Sequence, residues 1–216
     1  MTKQSLKNKE KYTFDDLCAI VDILRAPDGC PWDRVQTHES LRNNFIEEAY
    51  EVVEGIDKND PAILREELGD VLLEVVFHAG IARDEGVFDL SDVIDEISRK
   101  MVRRHPHVFG DAEIKNDQIQ ASWDEIKRQE KGSKSTEDTL RGVAVSLPAL
   151  MRAEKIAEKS RGATLRREMI PENDEVLRGG EQLYRLSLSL LSNGVSPEEA
   201  LQKYLNSLID DPKSYN

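Results

Sequence analysis

Between residues 62 and 84 the apolar side chains Leu64, Leu68, Val71, Leu72, Val75, Val76 and Ala79 recur three and four positions apart. A strand alternates its faces every second residue, so this spacing predicts a helix, and one apolar enough to lie inside a bundle. Such a helix must bury its stripe against neighbours, and the preceding segment offers one with the same period. Leu41, Phe45, Ala49, Val52, Val53 and Ile56 predict a helix over about 40–56. Asp57-Lys58-Asn59-Asp60-Pro61 then turns the chain back. Asp60 can cap the next helix, and Pro61 can occupy its first position, where a missing N–H costs nothing. The two helices are therefore expected to form a hairpin.

The same reading applied along the chain gives an all-α fold. Thr13 is placed to cap a helix carrying Leu17, Ile20, Val21 and Leu24, which stops before Pro27-Asp28-Gly29 and the turn GCPWD. Ser91 is expected to open a helix with Val93, Ile94, Ile97 and Met101 inward and Arg103, Arg104 and His105 at its end, before Pro106. A shorter helix over about 119–129 holds Trp123 and Ile126. Lys131-Gly132-Ser133-Lys134-Ser135 then reads as a flexible linker. The expected organisation is a first unit over 1–131, a linker over 132–146 and a helical C-terminal region over 147–216. That region has a helical stretch through Lys159, a polar irregular segment near 160–175 and two more helices, the last opened by Ser196-Pro197-Glu198-Glu199. Within it, LRGGEQLYRLSLSLLSNG is a poor copy of REELGDVLLEVVFHAG, a hint of a duplicated unit.

Charge narrows the function classes. Acidic residues outnumber basic ones 42 to 30, a net charge of −12, which argues against sequence-independent attraction to nucleic acid or to an anionic membrane surface. No apolar run approaches the roughly 18 residues of a spanning helix, and MTKQSLKNKEKY leads into no apolar signal segment. Cys18 and Cys30 form neither a CxxC pair nor a zinc ligand set. The expectation is a cytoplasmic chain with free thiols.

Glu48 and Glu51 are spaced to share one face of the first hairpin helix, with Glu47 about a hundred degrees around. Glu67-Leu68-Gly69-Asp70 repeats the carboxylate spacing on the second helix, and in an antiparallel hairpin the two sets can converge. Four carboxylates on facing helices repel unless a cation lies among them, and an all-oxygen set suits Mg²⁺ or Mn²⁺. Acids at this spacing also occur on ordinary solvated faces, in a chain that is 33% charged. Here, however, they border apolar stripes. A di-iron bundle would need ExxH motifs, and none of His38, His78, His105 or His107 follows a glutamate by three residues. Gly69 would allow close helix approach. Lys100, Arg103 and Arg104 read either as complement to a helix dipole or as a phosphate clamp beside a metal site. No Walker A loop or GxGxxG is present to bind phosphate through the backbone.

The ordered set GCPWDRVQTHESL, FIEEAYEVVEGI, REELGDVLLEVVFHAGIARDEGVF, KMVRRHPHVFGD and SWDEIKRQEK resembles the MazG-type nucleoside triphosphate pyrophosphohydrolases over about residues 14–131. The resemblance implies an all-α bundle of the NTP pyrophosphatase type whose core is completed by a second copy. It implies Mg²⁺-dependent hydrolysis of nucleoside triphosphates to monophosphate and pyrophosphate, with Mn²⁺ as a substitute. By resemblance Glu48, Glu51, Glu67 and Asp70 are the metal ligands, and Arg65, Glu66, Lys100, Arg103, Arg104 and Trp123 are nucleotide contacts. Glu47, outside the ligand quartet, is the expected base for the attacking water. Longer relatives carry two units. Here the second lacks an EExxE helix and has Arg178 and Glu181 where its ExxD acids would stand, so it reads as a degenerate remnant. That leaves open a non-catalytic nucleotide-sensing or interaction protein as the alternative.

Overall fold

The computed structural model describes residues 3–111, 119–131, 135–160, 165, 170–171 and 173–210. Among these the chain is helical and without strands: α1 (Lys3–Leu6), α2 (Phe14–Arg25), α3 (Pro31–Arg34), α4 (His38–Asp57), α5 (Pro61–Asp84), α6 (Leu90–Arg104), α7 (Pro106–Phe109), α8 (Ile119–Lys131), α9 (Thr136–Arg141), α10 (Ala149–Lys159), α11 (Glu175–Ser192) and α12 (Pro197–Asp210). No helix among the described residues is long and apolar enough to cross a membrane. The chain divides into two compact units, Met1–Glu113 and Ile114–Asn216, so α8, read from the sequence with the first unit, lies in the second.

In the first unit the hairpin of α4 and α5 is the frame. Asp60 caps α5, accepting from the backbone N–H of Ala62 at 2.9 Å and of Ile63 at 3.3 Å, and Pro61 holds the first helical position. The turn needs a left-handed residue, which Asn59 supplies at φ 51°. Gly55 is where the two helices meet. A Cβ there would lie 2.8 Å from the backbone nitrogen of Leu64, so only glycine permits this approach. Gly69, expected to play that part, has open space around it within the chain.

Val21 of α2, Leu41 of α4, and Val76, Phe77 and Ile81 of α5 make the buried cluster, with Leu17, Cys18, Leu73 and Leu90 packed against it. Each such side chain contributes about 1.5–3 kcal/mol on burial. Polar ties fix α2 to the end of α5: Arg25 donates to Asp84 at 3.0 and 3.2 Å, and Arg83 to Asp22 at 2.5 Å. The α2 cap carries a further ion pair. Asp16 is fully buried and accepts from Lys9 Nζ at 2.6 and 2.8 Å and from the backbone N–H of Thr13 at 2.8 Å. Its carboxyl is held down to about 2, chiefly by the Lys9 bond and then by the Thr13 bond.

Several local expectations shift. The α4 helix starts at His38, capped reciprocally by Thr37 and Ser40. Asp89, rather than Ser91, caps α6, accepting from the Ser91 and Asp92 backbones at 2.7 and 3.2 Å while Asp92 returns the bond. An aspartate one residue outside the helix outcompetes the serine because its charged oxygen reaches two N–H groups at once. The apolar stripes are also less covered than their period suggests. No residue of α6 is buried, and Val53, Ile56, Leu68, Leu72, Ile94 and Ile97 are exposed.

In the second unit, a short helix, α9, occupies part of the stretch read as a linker, with Ser135 accepting from Asp138 N–H at 3.0 Å. The α10 helix contacts α9, α11 and α12, and Ser196 donates to Glu154 at 3.0 Å. Ser187 is buried on α11 and donates to the Leu183 carbonyl at 2.9 Å. Most of the polar segment near 160–175, and residues 132–134 of the expected linker, lie outside the described residues.

Candidate metal centre

Glu48 of α4 and Glu67 and Asp70 of α5 present carboxylate oxygens that all lie within 4.8 Å of one another, each side chain half-buried. Helix periodicity explains why. Glu67 and Asp70, three apart, project from one face of α5. The Asp60 cap and the Gly55 contact hold the turn end of α4 against α5, and Glu48 lies opposite the pair. Glu51, one turn further along α4, lies near enough for its charge to help raise the carboxyls of Glu48 and Glu67.

The electrostatics are those of crowded anions. The Glu48 carboxyl is pushed up to about 7, first by burial, then by Glu51, Asp70 and Glu67. Glu67 is raised as well, by burial and then by Glu51, Glu66 and Asp70. No cation of this chain is paired with Glu48, Glu67 or Asp70 among the described ion pairs. An all-oxygen set of this spacing fits a hard divalent cation, whose charge would offset the repulsion that now favours proton uptake.

The remaining expected residues fall in different places. Glu47 is exposed on α4, outside the group of three. Arg65 and Glu66 are exposed on α5 just before Glu67. Lys100 and Arg104 are half-buried and Arg103 is exposed, all in the last turn and a half of α6, which packs on α5. Trp123 is half-buried in α8, in the second unit. One acid escaped the sequence reading. Glu74, one turn beyond Asp70 on α5, is 8% exposed, its carboxyl raised by burial and then by Asp70. Its position within the apolar run Val71, Leu72, Val75, Val76 was the available signal.

A hairpin of two long helices that gathers carboxylates from both defines an all-α acidic-site protein, and comparison places it. The MazG nucleotide pyrophosphohydrolase domain matches residues 36–109, a span containing α4, α5 and the whole acid cluster. The chain is 48% identical over 147 residues to the nucleoside triphosphate pyrophosphohydrolase/pyrophosphatase MazG of Thermotoga maritima, covering 68% of this chain and 56% of that one. It is 45% identical over 148 residues to the nucleoside triphosphate pyrophosphohydrolase of Escherichia coli K12, again covering 68% and 56%. An uncharacterised 26.1 kDa protein of Streptomyces cacaoi is 40% identical over 192 residues, covering 87% of this chain and 76% of that one. This chain belongs to the MazG family. It spans little more than half the length of the Thermotoga and Escherichia relatives.

Proposed function

We propose that this chain hydrolyses nucleoside triphosphates to nucleoside monophosphate and pyrophosphate with Mg²⁺, which Mn²⁺ can replace, and so cleanses or regulates a nucleotide pool. The observation that carries this is the convergence of Glu48, Glu67 and Asp70 within 4.8 Å, inside the segment matching a nucleotide pyrophosphohydrolase domain. Glu48, Glu51, Glu67 and Asp70 would hold the cation. When bound, it supplies positive charge to the triphosphate oxygens and acidifies water. Glu47, exposed beside the ligands and not consumed by them, orients the attacking water and takes its proton. Lys100, Arg103 and Arg104 bind phosphate oxygens and stabilise charge on the departing pyrophosphate. Arg65 and Glu66 contact the nucleotide at the start of α5.

We also propose that a second copy covers the exposed apolar residues Val53, Leu68, Leu72, Ile94 and Ile97, since a single helical unit gains by burying such a surface. Residues 147–216 are read as a degenerate second unit. In it Glu181 is engaged by Arg185 at 2.6 and 3.0 Å, and Arg178 stands at the other acid position. Incubating the protein with a panel of canonical and modified nucleoside triphosphates, with Mg²⁺ or EDTA, and resolving products by ion exchange tests the activity. Monophosphate plus pyrophosphate, lost with EDTA and in Glu51→Gln, is the expected result. Saturable Mg²⁺–nucleotide binding with no product would instead make this a nucleotide sensor, the reading its degenerate second unit favours.

A further inference from the structure

On α5, Asp70, Glu74 and His78 follow one another at single-turn spacing, and the last two serve no role in the site just described. His78 Nδ1 lies 2.7 Å from His38 Nδ1. The two rings are parallel within 5° with centroids 5.0 Å apart. A nitrogen-to-nitrogen distance that short at that centroid separation places the rings edge to edge in one plane, as an in-line N–H···N bond requires. The ring of Phe45 closes one side at 5.9 Å from His78. At the outer ends, His78 Nε2 is 3.9 Å from Glu74 Oε2 and His38 Nε2 is 4.0 Å from Glu85 Oε2. Glu74 is more than nine-tenths buried, and that oxygen has no hydrogen-bond partner.

The proton count of this arrangement is restrictive. Neutral, the pair shares one proton between its Nδ1 atoms and carries one outside. With one proton added, the shared proton stays and both Nε2–H groups face carboxylates, Glu74 and Glu85. A second added proton puts N–H against N–H across 2.7 Å, and the bond cannot survive. Burial and His38 both lower the affinity of His78 for a proton. Other charges do not relieve this. From α4, Glu39 feels the charge of His38, its carboxyl being lowered chiefly by its own backbone hydrogen bond and by Thr37 and least by His38. From α2, Arg25 and Asp22 are taken up by Asp84 and Arg83. At the start of α6, Asp89 is occupied with its own cap.

The location gives the pair a task. His38 opens α4, whereas Gly55 meets Leu64 near its other end, and Glu48 and Glu51 lie between these two fixed points. We propose that His38 and His78 are positioning residues, a proton-operated clasp that sets how α4 lies along α5 and thereby the cation affinity of Glu48, Glu51, Glu67 and Asp70. This rests on reading the acid cluster as a metal site, and the experiment separates the two.

Scalar coupling between the two Nδ1 nuclei across the hydrogen bond, read by ¹⁵N NMR from about pH 8 to about pH 4.5, tests the clasp without any metal. The coupling is expected at the upper end and lost at the lower, whereas its absence throughout or persistence at the acid end overturns the proposal. Mn²⁺ affinity then tests the consequence. The amide of His38→Asn can replace Nδ1 and bond His78 in any protonation state, whereas His38→Ala cannot. At about pH 7.5, the His38→Asn protein should match wild type within about twofold, and the His38→Ala protein should bind Mn²⁺ roughly 2- to 10-fold more weakly, the worth of one hydrogen bond. Titration of the acids affects all three proteins alike, so the ratio of His38→Asn affinity to wild-type affinity should rise as pH falls. A constant ratio, or a His38→Ala affinity equal to wild type, overturns the positioning role. If wild type binds Mn²⁺ no better than Glu48→Gln/Asp70→Asn, the metal reading fails, and the link from clasp to cation falls with it, while the NMR result still stands for the clasp.

Discussion

Replacing Glu48 by Gln should stabilise the metal-free protein and abolish its stabilisation by Mg²⁺. Glu48, Glu67 and Asp70 have oxygens within 4.8 Å. Two unit charges at that distance repel by about 0.9 kcal/mol at the dielectric of water and about 3.5 kcal/mol at an effective constant near 20. The side chains are half-exposed, so the lower figure governs, and roughly half of Glu48 is already protonated near pH 7, its carboxyl lying at about 7. Removing its charge should therefore gain about 1 kcal/mol above pH 7, a rise of about 2–4 °C in Tm for a chain of this size. The sign follows from linkage. A carboxyl raised in the folded state costs stability that grows as pH rises from its ordinary value of 4.5 through about 7, so the gain should vanish toward pH 4.5. The assay is thermal unfolding in EDTA and in millimolar Mg²⁺ across that range, with Glu96→Gln on the exposed face of α6 as the control. Wild type should gain Tm on adding Mg²⁺ and the variant should not. A Glu48→Gln protein that melts lower than wild type in EDTA, or that keeps the full Mg²⁺ response, would refute the reasoning.

Gly55→Ala should cost about 1–3 kcal/mol, read by urea unfolding, because its Cβ would sit 2.8 Å from the Leu64 backbone and neither helix can yield cheaply. Gly69→Ala meets nothing within the chain and should stabilise the isolated helix by about 0.5–1 kcal/mol; if a second copy packs there, sedimentation equilibrium will instead show weakened self-association. The Asp16 carboxyl is held from 3.8 down to about 2, so its contribution is complete above 3.8 and lost as pH falls through about 2. The Tm difference between wild type and Asp16→Asn should accordingly be constant above pH 4 and shrink below it in a thermal-melt pH series.

The long helices could be read from the sequence because their information is local. The Thr13 cap, the Asp60-Pro61 start and the stop after Asp84 each depend on a few neighbouring residues and on backbone groups that must find partners. The pairing of Glu67 with Asp70 is likewise local, being set by helical pitch alone. The helix pattern did not reveal the short elements α1, α3, α7 and α9, since four to six residues make little more than one turn and cannot repeat the period.

What the chain by itself determined is its all-α class, its hairpin and the carboxylate pairs each helix presents, because pitch and capping act over a few residues. The tertiary structure alone decided that Gly55 rather than Gly69 is the point of contact, that Glu48 reaches Glu67 and Asp70 while Glu47 stays exposed, and that His38 meets His78. These are distances between segments far apart in sequence, fixed by how one helix is rotated and slid along another. A shift of one residue along α4 turns its side chains by about a hundred degrees and moves them about 1.5 Å, and no local pattern encodes it.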